Sequence, residues 1–403
     1  MSDRREFIKK SVLLGATTMM APVSGLFGEE MNRDRIVGES VGVRRAASKG
    51  DTYTVNMGYV RAAQRSPRQI VVPDVNGYKV LKGDFHIHTL FSDGAVMPVD
   101  RMVEAVDNGL DAIAITDHFE YRPFFSAVGK WKLVDATADN FNLWYEIARE
   151  EAEKRNLLLV RGAEVTKSTM PPGHLNVLFT TDNNPVYAAV NDWRKMLQTA
   201  HDQGALILWN HPGWEAPKSG GIEKGAPLVF HKEHEEIVKK GMLQGIEIFN
   251  HTEHYPIVSD WCNDYDLAPF ANSDIHASEL SLYGIQNPLR PINLVFAKER
   301  TVESLREAMF AKRMVAMAAD TLWGRDSLLT ALFNSSVEIK TVTPGTLSLR
   351  NKSSLPVSVT LGGVVFDLPK DVERQVYKAE NAKSLTVVNW MVGMNKALEV
   401  TLK

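Results

Sequence analysis

Two histidines separated by a single residue, His86 and His88 in the segment DFHIHTLFSDG, are the residues of this sequence most suited to chemistry. The preceding segment, YKVLKGDF, has the pattern of a short strand, and side chains at i and i+2 of a strand point the same way. We therefore predict that both imidazoles emerge side by side at the carboxyl end of a strand, where barrel enzymes carry their active-site residues. An HxH pair alone is weak evidence, so its meaning depends on the other strand ends.

Further residues of metal-binding type stand at or near the ends of other strand candidates. They are Asp93 in SDG, His118 in TDH, Glu164 in GAE, His174 in GHLN, His211 in NHP, and Asp274 and His276 in SDIH. A single histidine beside an apolar run is more often structural than a ligand. Six of the eleven histidines occupy such positions, however, and chance would not place so many there. Together these residue types predict a metal site.

Short apolar runs alternate with amphipathic segments over residues 76–325. Strand candidates such as DAIAITDH and ALILWNH are separated by helix candidates such as PVDRMVEAVDNGL and HKEHEEIVKKGM. This alternation predicts an α/β fold with parallel strands, most simply a barrel of about seven strands. Residues 330–403 instead contain seven short strand candidates separated by turn residues. They predict a small β-sandwich domain that packs against the barrel.

Residues 1–30 have the pattern of an export signal. Arg4 and Arg5 precede Phe-Ile-Lys and an apolar run interrupted by Gly, Thr, Pro and Ser, which is typical of twin-arginine signal peptides. The run falls short of the roughly 20 apolar residues of a spanning helix, although a retained N-terminal anchor is the alternative. We expect a periplasmic or secreted protein that meets a membrane only during export, with residues 31–75 as a linker or wrapping arm.

The composition argues against several other classes of protein. A formal net charge of −3 gives no basic field for a polyanion, so no nucleic acid is expected as a partner. The one cysteine, Cys262, permits neither an intrachain disulfide nor a cysteine-rich zinc site. The sequence gives no indication of the oligomeric state.

The ordered set HxH, SDG, TDH, GxE, GHxN, NHP and SDxH resembles the PHP family, the polymerase and histidinol phosphatase domains. Words such as TDHFEYRP and GAEVTKSTMPPGHLN resemble a secreted bacterial branch of predicted phosphoesterases. The resemblance covers residues 78–320 and implies a distorted (β/α)7 barrel with two to three divalent metal ions. It also implies three sets of ligands: His86, His88, Glu164 and Asp274 for the first ion; Glu164, His174 and His211 for the second; Asp93, His118 and His276 for the third.

The chemistry of these ligands is consistent with phosphate-ester hydrolysis. Imidazoles and carboxylates without thiolate suit Mn, Fe or Zn. A bridging position needs a carboxylate with two oxygens, and Glu164 is the natural candidate. We expect Glu164, His211 and Asp274 to be catalytic through the metals they hold, with metal-activated hydroxide attacking phosphorus while the third ion binds a phosphoryl or leaving-group oxygen.

Four further residues are candidates for substrate binding. Arg122 and Lys167 follow the TDH and GAE elements and could neutralise phosphate oxygens, unless they are ordinary solvated charges. Trp214 in NHPGW could form a wall of the pocket, or simply pack. His251 follows the sixth strand candidate and could protonate the leaving group. Among the remaining histidines, His231, His234 and His254 are expected at the surface.

The leading hypothesis is an exported metal-dependent phosphoesterase acting on a small phosphomonoester or phosphodiester. One alternative is a metal-dependent hydrolase of a non-phosphate ester or an amide, because barrel metal sites also support acyl chemistry. Another is a surface interaction protein with structural metals. An open coordination sphere favours catalysis, because structural sites are closed.

Overall fold

The computed structural model describes residues 68–122, 140–167, 169–215, 228–283, 289–361, 363–377 and 382–402. All of them belong to one of the two units into which the chain divides, residues 67–403. The predicted signal peptide at 1–30 and most of the predicted linker at 31–75 lie outside the described residues. Within the described part of the chain, no helix has both the length and the apolar character needed to cross a bilayer.

The strands, in chain order, are β1 (Lys79–Asp84), β2 (Ala112–Ile115), β3 (Leu158–Val165), β4 (Leu175–Leu178), β5 (Leu206–Trp209), β6 (Leu243–Asn250), β7 (Glu253–His254), β8 (Ala268–Asn272), β9 (Ile292–Ala297), β10 (Met314–Ala318), β11 (Thr321–Trp323), β12 (Val337–Thr343), β13 (Thr346–Asn351), β14 (Ser358–Leu361), β15 (Val364–Asp367), β16 (Glu373–Tyr377), β17 (Ser384–Gly393) and β18 (Lys396–Thr401).

The α-helices of the described residues are α1 (Pro98–Asp107), α2 (Leu143–Lys154), α3 (Asn183–Tyr187), α4 (Trp193–Asp202), α5 (Lys232–Lys239), α6 (Ile257–Asp264), α7 (Glu279–Tyr283), α8 (Val302–Phe310) and α9 (Asp326–Ser336). A 3-10 turn covers Pro212–Glu215. The alternation of strands and helices up to α8 confirms the predicted α/β fold.

Local sequence explains the elements nearest the predicted site. All four residues of β2, AIAI, and of β5, LILW, are buried, as in strands covered on both faces. Helix α1 begins with Pro98, whose missing N–H costs nothing in the first turn. Helix α4 begins after Asp192, whose carboxylate accepts hydrogen bonds from the backbone N–H groups of Arg194 and Lys195.

The sheet is mixed, whereas the alternation of elements had predicted parallel strands. The pairs β1–β2, β2–β3, β5–β6 and β6–β8 are parallel, but β4 runs antiparallel to both β3 and β5. The reason is the short connection between β3 and β4, because a parallel crossover needs a dozen or more residues. Strands β9 and β10, which the sequence pattern did not reveal, pair antiparallel beyond β1.

The segments that follow β1 and β8, which carry His86, His88, Asp274 and His276, lie next to each other. Ile87 forms an isolated parallel bridge with Ile275, and the backbone N–H of His88 donates to the carbonyl of Ile275 at 3.1 Å. The side chain of Asn272 adds a hydrogen bond by accepting from the backbone N–H of Phe85 at 3.0 Å. No longer ladder joins β1 to β8 in the described residues, so closure into a seven-stranded barrel stays a prediction.

The C-terminal part is rich in β-strands, as the sequence predicted. One sheet, β12–β13–β16, is separate, while β14, β15, β17 and β18 extend the large sheet. The join is a parallel pairing of β11 with β17, in which Leu322 faces Trp390. Trp390 is fully buried and its ring meets Phe333 of the unpredicted helix α9, at 5.9 Å between centroids. The predicted domain boundary between 325 and 330 stays a prediction.

The prediction that His234 lies at the surface is wrong, because the residue is fully buried. Its ring stacks on Trp209 at 3.6 Å between centroids, and Nε2 donates to the carbonyl of Pro172 at 2.6 Å. Burial lowers the pKa of His234 to about 3. The charged residues beside it in sequence lie on the outer face of α5, whereas His234 lies on the inner face.

Candidate metal centre

The predicted ligands at the ends of β1 and β8 lie side by side because both segments alternate. Ile87, between His86 and His88, is fully buried. Its bridge partner Ile275 likewise separates the two ligand candidates of the SDIH segment. With the isoleucines turned into the core, the flanking side chains of both segments are directed to the opposite side.

Among four donor atoms of the predicted first set, the five distances that involve an imidazole nitrogen are nearly equal. His86 Nε2 is 3.1 Å from His88 Nε2 and 3.3 Å from Glu164 Oε2. Asp274 Oδ1 is 3.2 Å from His86 Nε2 and 3.1 Å from His88 Nε2. His88 Nε2 is also 3.1 Å from Glu164 Oε2. Nε2 of each imidazole therefore contacts both carboxylates, which is the kind of donor cluster that binds divalent cations.

The two oxygens of Glu164 face different groups of histidines. Oε2 lies beside His86 and His88, whereas Oε1 is 2.8 Å from His174 Nδ1 and 3.2 Å from His211 Nε2. The side-chain amide of Asn210 donates to Oε1 at 3.0 Å. This buried carboxylate therefore lies between two sets of nitrogen donors, which is the position of a bridging ligand.

The predicted third set also comes together, and His88 joins it. Asp93 Oδ1 lies 3.2 Å from His276 Nε2 and 3.5 Å from His88 Nδ1. Asp93 Oδ2 lies 3.6 Å from His118 Nε2. The other ring nitrogen of His118, Nδ1, is 3.2 Å from Glu164 Oε2, so this imidazole lies between the third set and the bridging carboxylate.

All nine predicted ligands thus fall into overlapping groups in which the donor atoms lie within 4.8 Å of one another. The groups are His86, His88 and Glu164; His86, His211 and Asp274; His118, Glu164 and His174; and His88, Asp93, His118 and His276. Imidazoles and carboxylates without thiolate fit Mn, Fe or Zn. The types of the donors and their close spacing therefore fit divalent cations.

The electrostatics of the cluster reflect buried acids and bases in contact. Burial alone would lower the pKa of His88, but hydrogen bonds that its imidazole donates to the carboxylates of Asp274 and Glu164 outweigh this effect and raise the pKa to about 10. Burial would raise the pKa of Glu164, but the charges of His118 and His86 hold it well below its usual range. Glu164 is therefore ionised, and a cation that binds His88 must displace its proton.

Two of the predicted ligands lie at strained positions of the backbone. His211 has φ of 25° and Asp274 has φ of 48°, in the left-handed region that residues other than glycine seldom adopt. Such conformations persist only where the surrounding structure enforces them, and they concentrate at functional sites. The strain is consistent with a ligand function for both residues.

Glu247, in the middle of β6, is the main site residue that sequence reasoning missed. It is fully buried, and His86 Nδ1–H donates to its Oε1 at 2.8 Å. Asn272 donates to the same oxygen, while the backbone N–H of His211 and the amide of Asn250 donate to Oε2. Glu247 therefore fixes the tautomer of His86, with Nε2 facing the cluster. The available signal was an acidic residue inside the apolar run GIEIFN.

Arg101 was also missed, and it ties the two ligand-bearing segments together. Its buried guanidinium donates to the carbonyls of His88, Ile275, His276 and Ala277 at 2.9–3.2 Å. In the sequence it reads as one more polar residue of the amphipathic helix α1.

The four predicted substrate-binding residues lie in different surroundings. Lys167 contacts the third set directly, and the ring of Trp214 lies 5.6 Å from that of His211. Arg122 donates to the carbonyl of Phe91 at 3.0 Å, two residues before Asp93. The imidazole of His251 pairs with Thr252 Oγ1 at 3.1 Å and is not among the clustered donors.

The protein thus combines a mixed α/β fold with a cluster of imidazoles and carboxylates at the strand ends. This combination is typical of proteins with a multinuclear metal centre. The chain belongs to the PHP family. A model of the PHP domain matches residues 84–205. A two-domain protein from Bacteroides vulgatus with a solved structure is 33% identical to this chain, with a TM-score of 0.74. The similarity covers 84% of this chain and 99% of that one. That protein is described as containing a predicted PHP-like metal-dependent phosphoesterase.

A more distant relative is an uncharacterized protein of Methanocaldococcus jannaschii. It is 26% identical over 216 residues, which is 49% of this chain and 83% of the relative. Similarity to the Bacteroides vulgatus protein extends over most of the chain, beyond the matched PHP domain.

Proposed function

We propose that this protein is a metal-dependent phosphoesterase that hydrolyses a small phosphomonoester or phosphodiester. The observation that carries the proposal is the position of Glu164, whose two oxygens face separate groups of histidines. A relative that is 33% identical over nearly its whole length and is described as a predicted PHP-like metal-dependent phosphoesterase supports the same reaction class.

Two or three divalent cations, Mn, Fe or Zn, would supply a hydroxide at neutral pH and neutralise charge on the reacting phosphoryl group. The protein's own contribution is to hold the donors in place. Glu164 and Asp274 remain ionised because neighbouring imidazoles hold their pKa values well below the usual range. Their negative charge offsets the cost of gathering cations in a buried site.

Residues at the edge of the cluster would orient the substrate. The Lys167 ammonium, 2.9 Å from His118 Nε2, lies close enough to the cluster to pair with a phosphoryl oxygen. Trp214 is 43% exposed beside His211, so its indole can cover an apolar part of the leaving group. A cationic side chain at the site favours an anionic phosphate ester over a neutral ester or amide.

The test is turnover of a panel of nitrophenyl phosphate monoesters and diesters, with nitrophenyl acetate as the acyl comparison. We expect release of nitrophenol from a phosphate ester and its loss in Glu164→Ala, together with loss of at least one metal by elemental analysis. Glu150→Ala, an exposed carboxylate on α2, is the matched control and should remain active. Turnover of the acetate alone, or full activity of Glu164→Ala, would overturn the proposal.

We also propose that the protein is exported through the twin-arginine route and acts in the periplasm or outside the cell. The support is the sequence of residues 1–30, with paired arginines ahead of a short apolar run. Replacing Arg4 and Arg5 by lysine should retain the full chain in the cytoplasm, as fractionation would measure. Equal export of the variant would refute this route.

A further inference from the structure

The ammonium group of Lys167 lies within the third ligand set. Nζ is 2.9 Å from His118 Nε2 and 3.3 Å from Asp93 Oδ2, and it lies 4.0 Å from the centre of the Tyr121 ring. The side chain is 11% exposed, so these contacts are largely shielded from water. Lys167 is therefore a part of the cluster and not a solvated surface charge.

The atoms that Lys167 contacts are the atoms that a third cation would need. His118 Nε2 has one lone pair, which can accept an N–H or bind a metal but cannot do both. Asp93 Oδ2 is shared in the same way, because a cation on it would lie within a few ångströms of Nζ. Two positive charges at such a distance in a buried site repel strongly.

The local backbone directs Lys167 toward this position. Thr166 has φ of 66°, and its N–H donates to Glu120 Oε1 at 2.9 Å. Its buried hydroxyl also donates to the carbonyl of Gly173, which closes the loop between β3 and β4. Lys167 therefore follows a residue whose backbone and side chain are both held by hydrogen bonds, and its ammonium group contacts His118.

We infer that the Lys167 ammonium and a third divalent cation compete for Asp93 and His118, so that the protein binds two cations tightly and a third weakly. The competition is a property of the metal centre and does not depend on phosphate-ester hydrolysis. It makes the third cation exchangeable, whereas the pair held around Glu164 is resident.

The test is calorimetric titration of the metal-free full-length protein with Mn²⁺ alone. In Lys167→Met the third equivalent should bind more tightly by on the order of tenfold or more, because a positive charge next to the cation is removed. The first two equivalents should change by less than about twofold, because the residues around Glu164 keep their contacts. Lys167→Arg, which keeps the charge, should bind the third equivalent as weakly as the unaltered protein.

Two further variants keep the result interpretable. Lys167→Gln tests charge removal with a polar side chain if the methionine variant folds poorly. Adding Asp93→Asn to Lys167→Met should abolish the tightened third equivalent, which assigns it to this set. Three equally tight equivalents in the unaltered protein, or no tightening in either neutral variant, would overturn the competition.

Discussion

Replacing Glu247 by glutamine should weaken both the fold and the metal centre, although the two side chains have nearly the same shape. The carboxylate accepts four hydrogen bonds of 2.7–2.8 Å, two on each oxygen. Glutamine offers one oxygen and one NH₂ group. Whichever way the amide is turned, one pair of donors keeps its acceptor and the other pair faces N–H groups.

The expected size of the effect follows from that count. Leaving a buried donor unsatisfied costs about 1–3 kcal/mol, so two donors correspond to a loss of about 2–6 kcal/mol in the free energy of unfolding. Mutation of a carboxylate that orients a metal-binding histidine typically reduces metal affinity by about 10–100-fold. If the amide turns its NH₂ toward His86, that ring loses the contact that directs Nε2 to the cluster.

Urea denaturation of the metal-free protein and competition with a chromophoric chelator would measure the two quantities separately. Glu150→Gln, which alters an exposed carboxylate on α2, serves as the control and should leave both unchanged. A Glu247→Gln variant with an unfolding free energy within about 0.5 kcal/mol of the unaltered protein and the same metal affinity would refute the reasoning.

Three other changes test different parts of the structure. Arg290→Met should lower the free energy of unfolding by about 3–5 kcal/mol in urea, because it leaves the fully buried carboxylate of Asp84 without its cation; an unchanged midpoint would contradict this. Gly94→Ala should weaken binding of the third cation in Mn²⁺ titrations. The added Cβ would lie 2.6 Å from the backbone of His88 and must displace the turn that carries Asp93. An unaltered affinity for the third cation would contradict this prediction. Metal binding at pH 7 should release protons, because the pKa of His88 is raised to about 10 and the imidazole is protonated in the metal-free protein. Metal affinity should therefore rise with pH toward 10. If this is wrong, calorimetry in buffers of different ionisation enthalpy would give the same binding enthalpy.

The sequence was sufficient to predict that the candidate ligands cluster, because strand geometry determines which side chains lie on the same side. In His86-Ile87-His88, period-two alternation puts the two imidazoles on one side and the isoleucine in the core, and the structure has that arrangement. The same rule applies to Asp274 and His276. Residue type, strand position and family resemblance pointed to one site, so no knowledge of long-range packing was needed.

Residues that act through a ligand could not be identified in the same way. Glu247 is marked in the sequence only as an acidic residue within the apolar run GIEIFN, and its role is revealed only when neighbouring strands place His86 and Asn272 against it. Lys167 was predicted only as a substrate-binding candidate, because its contacts with Asp93 and His118 depend on the left-handed backbone at Thr166, which no pattern of side-chain types encodes. The burial of His234 depends on which face of α5 turns inward, and flanking charges on both sides obscured it.

The directions of the strands were predicted only in part, because a hydrophobic pattern does not show whether a strand is parallel or antiparallel to its neighbours. Strand β4 reads as a buried apolar run whether it is parallel or antiparallel, and only the length of the connection from β3 decides. Strands β9 and β10 carry none of the predicted ligands, so the motif set did not draw attention to them. They nevertheless cover the open edge of β1 and so support the strand that presents the HxH pair.

The contacts of Arg101 explain why metal removal should also destabilise the fold around the predicted metal site. One buried guanidinium holds carbonyls from both ligand-bearing segments, and the bridge between Ile87 and Ile275 joins the same two segments. The imidazoles that would hold the first cation are therefore positioned by hydrogen bonds that also join β1 to β8. A cation bound there would link the same segments a third time, so metal removal should lower the stability of this part of the sheet more than that of the C-terminal strands.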